Sequence, residues 1–379
     1  MQSELVASVD ALEVSIVSSN EELIDEVDES YTLSINQGIS ILKAQTVYGA
    51  LRGLETFSQF IEKDQSGSFF VQQTPIEVQD APRFAWRGIL VDTSRHFFPF
   101  NKILQMLDAM SYNKMNVFHW HVIDADSFPI VSFVYPELSS KGAYAPEAIY
   151  SREEVEYIIE YARLRGIRVV IEFDIPGHSS FGYAFPEIVG CPKFYNDPYI
   201  YKKQDVALDP TLNRTYEIVG NFLREMSQVF PDNYMHLGGD EVRYTCWEQN
   251  PAIKQFMDAN GIPTYADLER YFWARIDAEV LSKIPKTYVL WDDGFVNQVP
   301  IPKGALLHIW QQERYLVEAV RAGNKVIRSQ GWYLDQQTPG DYRYRWLETW
   351  IDFYELEPVP SDLSPDEAAF VVGGEACMW

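Results

Sequence analysis

Two adjacent carboxylates, Asp240 and Glu241, follow a short apolar stretch that ends in two glycines. That stretch, residues 234–239, has the length and composition of a buried strand in a parallel sheet. Neighbouring carboxylates cannot both ionise cheaply, so we expect one pKa to be raised, which would allow that group to act as an acid near neutral pH. Because Asp and Glu also favour the first turn of a helix, the pair alone is a weak indication of catalysis.

The elements that would position this pair belong to a repeating pattern of strands and helices. Strand candidates are residues 87–92, 116–121, 166–173, 234–239, 287–291, 305–310, 325–328 and 370–373. Helices are predicted between them, including residues 100–112 and one that opens at the capping box of Ser151 and Glu154. Eight strands alternating with helices predict an α/β fold, the (β/α)8 TIM barrel.

Polar and aromatic residues follow most of these strands. Since the carboxyl ends of barrel strands meet at one mouth, we expect the residues there to converge. They are Asp92, Arg95, His119, His121, Asp124, Asp174, His178, Asp240, Glu241, Trp291, Trp310, Tyr333, Asp335, Glu375 and Trp379.

A smaller unit precedes the barrel. Residues 11–17, 30–35 and 38–44 alternate like strands, and residues 46–61 have apolar side chains at helical spacing. We therefore expect a small α/β domain in residues 1–83, consisting of a sheet covered by a helix, and a catalytic barrel in residues 84–379.

The charge and the cysteines limit the classes of function. With 31 basic and 55 acidic residues the net charge is −24, which argues against nucleic acid or an anionic membrane as partner, since both need basic patches. We find no stretch long enough to span a bilayer and no signal peptide at Met1. The three cysteines fit no zinc motif.

Two kinds of hydrolysis fit the cluster at the strand ends. In glycoside hydrolysis an acid protonates the leaving oxygen, an anion stabilises the sugar cation, and aromatic rings hold the sugar. A metal-dependent hydrolase is the alternative, because His119 and His121 share one strand face and His178 and His236 follow other strands. Each histidine alone is more often a hydrogen-bonding residue than a ligand, so we favour the glycosidase and expect no metal.

Six segments carry characteristic combinations of these residues. They are residues 48–57 (YGALRGLETF), 87–96 (RGILVDTSRH), 118–129 (FHWH, then SFP), 172–178 (EFDIPGH), 236–241 (HLGGDE) and 373–379 (GGEACMW). Together, over nearly the whole chain, they closely resemble the β-N-acetylhexosaminidases of glycoside hydrolase family 20, in their eukaryotic lysosomal or secreted form.

The resemblance implies an exo-acting enzyme that removes terminal non-reducing β-linked N-acetylglucosamine or N-acetylgalactosamine, with retention and without a cofactor. In this family the acetamide oxygen of the substrate attacks the anomeric carbon and forms an oxazolinium intermediate, so the protein supplies no nucleophile. Glu241 resembles the general acid and base, and Asp240 the residue that orients the acetamide and stabilises its positive charge. We therefore expect Asp240 to stay charged while Glu241 keeps a proton.

Other residues resemble those that bind the substrate in this family. Tyr333 resembles the hydrogen-bond donor to the acetamide oxygen, and Asp335 its companion in binding. Arg95 resembles the residue that grips the sugar hydroxyls through a fork of donors. Asp124 and His178 resemble supports of the acid site. Three tryptophans resemble the walls of the family's acetamide and ring pocket: Trp291, Trp310 and Trp379.

The resemblance also concerns processing and location. Cys191 and Cys246 match positions that the lysosomal type pairs as a disulfide, and Asn213 lies at a family glycosylation position. Both features imply a lysosomal or secreted protein. The implied partner is a glycan, either a glycoconjugate or a chitin oligosaccharide, and family members often form dimers, so we consider a homo- or heterodimer.

Two departures from the family pattern qualify these expectations. Ala125 stands where relatives often have a second acidic residue after Asp124. Relatives also continue after Trp379 with a Gly-Glu pair, whose carboxylate binds sugar hydroxyls, and with the last barrel helix, so we expect a barrel that is truncated before that helix. A catalytically inactive sugar-binding relative or fragment is therefore an alternative function. The choice between the two amino sugars and among glycolipid, N-glycan and chitin substrates stays open.

Overall fold

The computed structural model describes residues 9–191, 206–335 and 349–379, and the chain divides into two compact units. The first unit comprises Met1–Ala85, Gln105–Asn116 and Tyr161–Arg168, and the second comprises Trp86–Leu104, Val117–Glu160 and Val169–Trp379. The prediction that no signal peptide begins at Met1 concerns residues 1–8, which lie outside the described residues.

A four-stranded sheet is the framework of the first unit. The strands described there are β1 (Val9–Ile16), β2 (Tyr31–Ile35), β3 (Gly38–Ala44), β4 (Glu62–Lys63), β5 (Phe69–Phe70) and β6 (Ile76–Asp80). The sheet order is β1, β3, β2, β6, with β1 parallel to β3 and the other pairs antiparallel, while β4 and β5 form a separate short pair.

Helix α1 (Val47–Gln59) packs on this sheet, so the predicted sheet covered by a helix is confirmed. The Thr46 hydroxyl caps the helix by accepting the Gly49 N–H at 3.1 Å. Gly49 is required by close packing, because a Cβ there would lie 2.5 Å from the Ser30 carbonyl oxygen. Strand β6 was not predicted, since its short alternation lies between prolines.

Eight parallel strands close the second unit into a barrel, which confirms the predicted TIM fold. They are β7 (Trp86–Asp92), β8 (Val117–Ile123), β9 (Arg168–Phe173), β10 (Tyr234–His236), β11 (Thr287–Trp291), β12 (Leu306–Ile309), β13 (Val326–Arg328) and β14 (Val371–Met378). Neighbours follow chain order, and the circle closes where β14 pairs with β7 and β9 pairs with β10.

The ends of β10 and β14 differ most from the predicted strand boundaries. Strand β10 ends at His236 because Gly238 and Gly239 adopt positive φ angles of 62° and 88°, which do not continue a strand. Strand β14 extends through both glycines to Met378, so Glu375 lies within the strand and not after it. Gly373 permits this course, because a Cβ there would lie 1.9 Å from the Trp86 carbonyl oxygen of β7.

Helices connect the barrel strands. Those described are α2 (Phe100–Tyr112), α3 (Glu137–Gly142), α4 (Arg152–Arg163), α5 (Asn213–Val229), α6 (Thr245–Glu248), α7 (Pro251–Asn260), α8 (Tyr265–Glu279), α9 (Asp293–Val296), α10 (Glu313–Arg321), α11 (Trp350–Glu355) and α12 (Pro365–Ala368). Helix α4 opens at the predicted capping box, in which Ser151 and Glu154 exchange side-chain to backbone hydrogen bonds of 2.9 and 3.2 Å. Among the described helices, none combines the length and apolarity needed to cross a bilayer.

A disulfide joins the loops after β9 and β10 through Cys191 and Cys246, the pair that the resemblance implies. Both cysteines are buried in one apolar cluster with Trp247.

Because the bridge closes a separation of 55 residues, the chain-entropy model predicts that combining Cys191→Ala with Cys246→Ala lowers the free energy of unfolding by about 4 kcal/mol. Urea unfolding measures this difference. A reducing agent should destabilise the parent protein and leave the double variant unchanged; a loss below about 1 kcal/mol would contradict the prediction.

Candidate active site

Side chains inside the barrel lie in layers, because successive residues of a strand face opposite sides. Toward the amino ends of the strands the layer is apolar and contains Trp86, Val117, Val170, Val289, Leu306 and Ile327. Two residues further along, a buried layer is mostly polar and contains His119, Glu172, His236, Trp291, His308 and Glu375. The residues at the mouth of the barrel therefore stand on a hydrogen-bonded floor.

Glu172 of β9 is the centre of this floor. It accepts the Trp291 Nε1–H at 2.8 Å and lies 2.8, 3.1 and 2.9 Å from ring nitrogens of His121, His236 and His119. Burial favours the neutral acid, but the three imidazoles outweigh burial and hold the pKa of Glu172 well below its usual range. Glu172 is therefore an anion that fixes the orientation of the Trp291 ring.

The histidines of the floor are close enough together to suggest a metal site, since ligand atoms of His119, His236 and His308 lie within 4.8 Å of one another. His119, however, lies between carboxylates, 2.5 Å from Glu375 and 2.9 Å from Glu172. Burial opposes its charge, but these anions raise the pKa of His119 to about 9, and a doubly protonated ring offers no lone pair. His236 and His308 contact each other at 3.4 Å. These contacts favour a structural network over a metal centre.

Asp240 and Glu241 follow β10 in a tightly turned loop. Gly238 must be glycine, because a Cβ there would lie 1.9 Å from Asp174 Oδ1, and that oxygen accepts the Gly239 N–H at 2.9 Å. Glu241 itself has a φ of 44°, in the left-handed region that side chains other than glycine rarely adopt. The turn places the two carboxylates beside each other at the mouth of the barrel.

His178 connects the two carboxylates to the rest of the site. Its Nε2 lies 3.4 Å from Glu241 Oε2 and 4.0 Å from Asp240 Oδ2, and its Nδ1 lies 3.2 Å from Asp124 Oδ2. Burial disfavours the imidazolium, but these three carboxylates outweigh it and raise the pKa of His178 well above its ordinary value. His178 is therefore a cation that lies among the carboxylates of Asp124, Asp240 and Glu241.

The proton distribution between Asp240 and Glu241 differs from the expectation. The hydrogen bond from His178 lowers the pKa of Glu241, whose side chain is 41% exposed. Burial raises the pKa of Asp240 to about 6. In the free protein Glu241 is thus the more acidic group, because it faces solvent beside a cation, whereas Asp240 is enclosed among other carboxylates.

Asp174 completes the arrangement around Asp240. Burial, together with the negative charge of Asp240, raises the pKa of Asp174 well above its ordinary value. A protonated Asp174 can donate a hydrogen bond to Asp240, and that bond favours the anionic form of Asp240. The two carboxyls therefore share one proton, with Asp174 as its main holder.

Arg95 is held rigidly at the same mouth. Its guanidinium donates to Asp92 Oδ2 at 3.0 Å, pairs with Asp124 Oδ2 at 2.7 Å and lies 5.3 Å from the Trp379 ring centroid. Burial favours the neutral form of Asp124, but hydrogen bonds from His121 and His178 and the charge of Arg95 lower its pKa. Arg95 keeps 25% of its side chain exposed, so its remaining donors are available to a ligand.

Aromatic rings form the walls of the site. Trp291 is buried and stacks on His308 with a centroid distance of 4.1 Å. Trp310 stacks on Tyr333 at 6.1 Å, and Trp379 lies 5.8 Å from Trp291 and 6.3 Å from Tyr333. The structure therefore brings together the four aromatic residues singled out in the sequence.

Several polar atoms at the mouth are buried and have no hydrogen-bond partner among the described residues. They include Asp240 Oδ1, Asp335 Oδ1 and Trp379 Nε1. Buried polar atoms without partners are costly, so each is suited to a ligand that supplies the missing hydrogen bond. Hydroxyl and amide groups of a ligand can supply such bonds, since both donate and accept.

Asn213 takes no part in these contacts. It is the first residue of α5, and its side-chain oxygen accepts a hydrogen bond from Arg275 at 2.6 Å. The side chain is exposed, as a glycosylation acceptor must be, while Thr215 of the sequon is buried.

Sequence reasoning missed two residues that organise the site. Glu172 appeared only within a motif, and Asp293 was not singled out although it follows β11 directly after Trp291 and Asp292. The signal for Asp293 was available in the same pattern, a polar residue at the carboxyl end of a barrel strand. The signal for Glu172 was weaker, because a charged residue inside a strand does not reveal its partners.

Several buried groups bind protons more tightly in the folded protein than in the unfolded chain, among them Asp292, Glu269 and His119. Burial raises the pKa of Asp292 to about 8 and that of Glu269 to about 7, and the pKa of His119 rises to about 9. A group whose pKa is higher in the folded protein than in the unfolded chain contributes its full stabilisation at a pH below its pKa in the unfolded chain. That contribution is lost as the pH rises through its pKa in the folded protein. From pH 6 to pH 9 we expect the free energy of unfolding to fall by several kcal/mol.

Urea unfolding at the two pH values measures this fall. Asp292→Asn keeps the shape of the neutral acid and removes its titration, so this variant should show a smaller fall than the parent protein. Equal or greater stability at pH 9 would show that these groups are not perturbed in the stated direction.

Comparison with known proteins agrees with the geometry of the site. The family model "Glycosyl hydrolase family 20, catalytic domain" matches residues 84–379, and "beta-acetyl hexosaminidase like" matches residues 2–60. The alpha subunit of mouse beta-hexosaminidase is 42% identical over 97% of this chain and 69% of its own length. Beta-hexosaminidase subunit A1 of Dictyostelium discoideum is 40% identical over 97% of this chain and 68% of its own.

A solved structure shows the same architecture. The chitobiase of Flavobacterium johnsoniae has a TM-score of 0.83 and 32% identity, over 97% of this chain and 55% of that protein. This chain therefore spans about two thirds of the curated relatives and little more than half of the chitobiase. The match over residues 84–379 and the identities of 40% and 42% place the chain in glycoside hydrolase family 20.

Proposed function

We propose that this chain is an exo-acting β-N-acetylhexosaminidase that removes terminal non-reducing N-acetylglucosamine or N-acetylgalactosamine with retention. The observation that carries the proposal is the pair Asp240 and Glu241, side by side at the mouth, with His178 within 4.0 Å of both. The Glu241 side chain is 41% exposed, where a leaving group would depart, and the Asp240 side chain is only 17% exposed, deeper in the mouth, where a sugar substituent would lie.

Glu241 acts first as the acid. As the bond from C1 to the glycosidic oxygen breaks, Glu241 gives its proton to that oxygen, and the acetamide oxygen forms a bond to C1. The bound sugar displaces water from Glu241, which opposes its low pKa and favours the protonated form. A water molecule then attacks C1, gives a proton to Glu241 and opens the oxazolinium ring.

Asp240 and Tyr333 act on the acetamide. Positive charge develops on its nitrogen as the ring closes, and an anionic Asp240 stabilises that charge in a site from which water is excluded. Burial holds the pKa of Tyr333 well above its ordinary value, so its hydroxyl stays protonated and can donate to the acetamide oxygen. The two contacts orient the acetamide for attack on C1.

Arg95 and Asp335 recognise the hydroxyls of the sugar. Arg95 presents donors that its carboxylate partners leave unused, and Asp335 presents a buried oxygen without a partner among the described residues. Trp291, Trp310 and Trp379 enclose the ring through their apolar faces. A polar ring with one acetamide would therefore supply partners for the buried polar atoms that have none among the described residues.

The location we propose is the lysosome or the exterior of the cell. The disulfide of Cys191 and Cys246 and the exposed Asn213 of a sequon support a secretory route. We further propose a homo- or heterodimer, since several relatives are named as subunits of a beta-hexosaminidase.

Hydrolysis of 4-methylumbelliferyl glycosides tests this function. We expect the β-N-acetylglucosaminide and β-N-acetylgalactosaminide to be cleaved at least about 10³-fold faster than the β-glucoside, which lacks the acetamide. EDTA should have no effect. Loss of activity with EDTA would indicate a metal-dependent hydrolase. A folded chain that binds N-acetylglucosamine-thiazoline, an oxazoline mimic, but cleaves none of the three would indicate a sugar-binding protein.

A further inference from the structure

The backbone of the acid-base residue is held in an uncommon conformation. Glu241 has a φ of 44°, a left-handed value that costs energy for a residue with a side chain and persists only where neighbouring contacts enforce it. The preceding glycines can adopt many conformations, so they do not themselves fix the direction of the Glu241 side chain. Something outside this loop must therefore hold it.

Asp293 provides that contact. It is the first residue of α9, directly beyond β11, and its Oδ1 accepts the backbone N–H of Glu241 at 3.2 Å. Asp174 provides the other anchor of the loop, by accepting the Gly239 N–H at 2.9 Å. These two backbone hydrogen bonds tie the loop to the ends of two different strands, β9 and β11, and of the two only the bond to Asp293 is made by the main chain of Glu241.

The second oxygen of Asp293 holds a wall of the sugar pocket. Oδ2 accepts the Trp310 Nε1–H at 2.8 Å, while Asp292 Oδ1 accepts the backbone N–H of Trp310 at 3.3 Å. One carboxylate therefore links the main chain of the acid to an aromatic ring that encloses the sugar. Both bonds are charge-assisted, which makes them stronger than bonds to a neutral acceptor.

We propose that Asp293 is a positioning residue of the acid-base centre, which holds the Glu241 main chain and the Trp310 ring in register so that the Glu241 carboxyl points at the glycosidic oxygen. This inference rests on the proposed function. Its consequence is specific: loss of Asp293 misdirects the proton donor, and a misplaced donor matters only when the leaving group needs a proton.

Two substrates with different leaving groups test the inference. For Asp293→Ala, kcat/KM for N,N′-diacetylchitobiose, whose leaving sugar needs protonation, should fall about 10²-fold, while kcat/KM for 2,4-dinitrophenyl β-N-acetylglucosaminide, whose leaving group does not, should fall less than about 5-fold. Asp293→Asn keeps one acceptor oxygen but turns an amide donor toward the other N–H. Its fall in kcat/KM for N,N′-diacetylchitobiose, relative to that for the dinitrophenyl substrate, should therefore lie between those of the parent protein and Asp293→Ala.

Trp310→Phe is the matched control, because it removes the indole N–H and leaves the bond from Asp293 to Glu241 in place. The fall in kcat/KM of Trp310→Phe should be similar for both substrates. Equal losses for both substrates in the Asp293 variants would overturn the inference and leave Asp293 with a general structural role.

A crystal structure of Asp293→Ala, or of Asp293→Asn if the alanine variant does not fold, supplies a readout that does not depend on activity. We expect φ of Glu241 to leave the left-handed region and its carboxyl to move. An unchanged Glu241 would overturn the inference even if activity fell. Failure of the parent protein to cleave either substrate would overturn the proposed function, while the crystal structure would still decide whether Asp293 positions Glu241.

Discussion

Replacing Glu241 by Gln is expected to lower kcat/KM for N,N′-diacetylchitobiose by about 10³- to 10⁴-fold, because an amide cannot donate the proton that the leaving sugar requires. The Glu241 side chain is 41% exposed, so its replacement should leave the fold intact. Steady-state kinetics of the variant and the parent protein measure the loss, and thermal unfolding checks the fold.

Glu248→Gln is the matched control for this experiment. Glu248 is an exposed residue of α6, in the segment that follows the same strand, and it makes no side-chain contact with the site. Its replacement makes the same chemical change and should leave kcat/KM within 2-fold of the parent value. Full activity of the Glu241 variant on chitobiose would rule out Glu241 as the acid.

Asp240→Asn is expected to lower kcat by about 10²- to 10³-fold, because the oxazolinium then forms without an anion beside its nitrogen. Binding of the neutral substrate should change much less, so the effect should lie in kcat and not in KM. The exposed Asp258, on α7, gives the matched control Asp258→Asn, which should retain full activity.

A second signature separates this role from general damage to the site. N-acetylglucosamine-thiazoline resembles the oxazolinium, so the Asp240 variant should lose affinity for it by a factor similar to the loss in kcat. Unchanged affinity for the thiazoline would contradict the assignment of Asp240 to the intermediate.

The sequence predicted the barrel well because its strands alternate with helices and end in polar residues. The same pattern placed Asp240, Glu241, Arg95 and Tyr333 at one mouth. The end of β14 was harder to predict, because the pair Gly373 and Gly374 suggests a turn. The close approach of β7 at Gly373 is visible only in three dimensions.

The electrostatics of the site could not be predicted from adjacency alone. Two neighbouring carboxylates indicate that one pKa rises, but which one depends on burial and on cations brought from elsewhere in the chain. His178 lies 3.4 Å from Glu241, and the buried Asp174 shares a proton with Asp240. These contacts join the ends of two different strands, β9 and β10, and no local sequence pattern encodes their distances.

Glu172 illustrates the same limit. A glutamate inside an apolar strand is unusual, but only the barrel shows that it holds Trp291 and lies against three histidines at once. The alternation along each strand predicts which residues face the interior, while the layer in which they meet depends on the register between strands. Residues that position other side chains, as Glu172 positions Trp291, are therefore harder to predict from sequence than the residues at the mouth.

The proposed mechanism requires that the acetamide oxygen of the substrate is the nucleophile, that Asp240 stabilises the positive charge on its nitrogen and that Glu241 transfers the proton. The most direct test is kcat/KM for 4-methylumbelliferyl glucosaminides whose N-acetyl group carries zero, one, two or three fluorines. Fluorine withdraws electrons from the carbonyl oxygen, so substrate assistance predicts a steep fall in kcat/KM with each fluorine, by several orders of magnitude over the series. A rate that does not depend on fluorination would contradict the claim, because it would mean that the carbonyl oxygen does not attack C1.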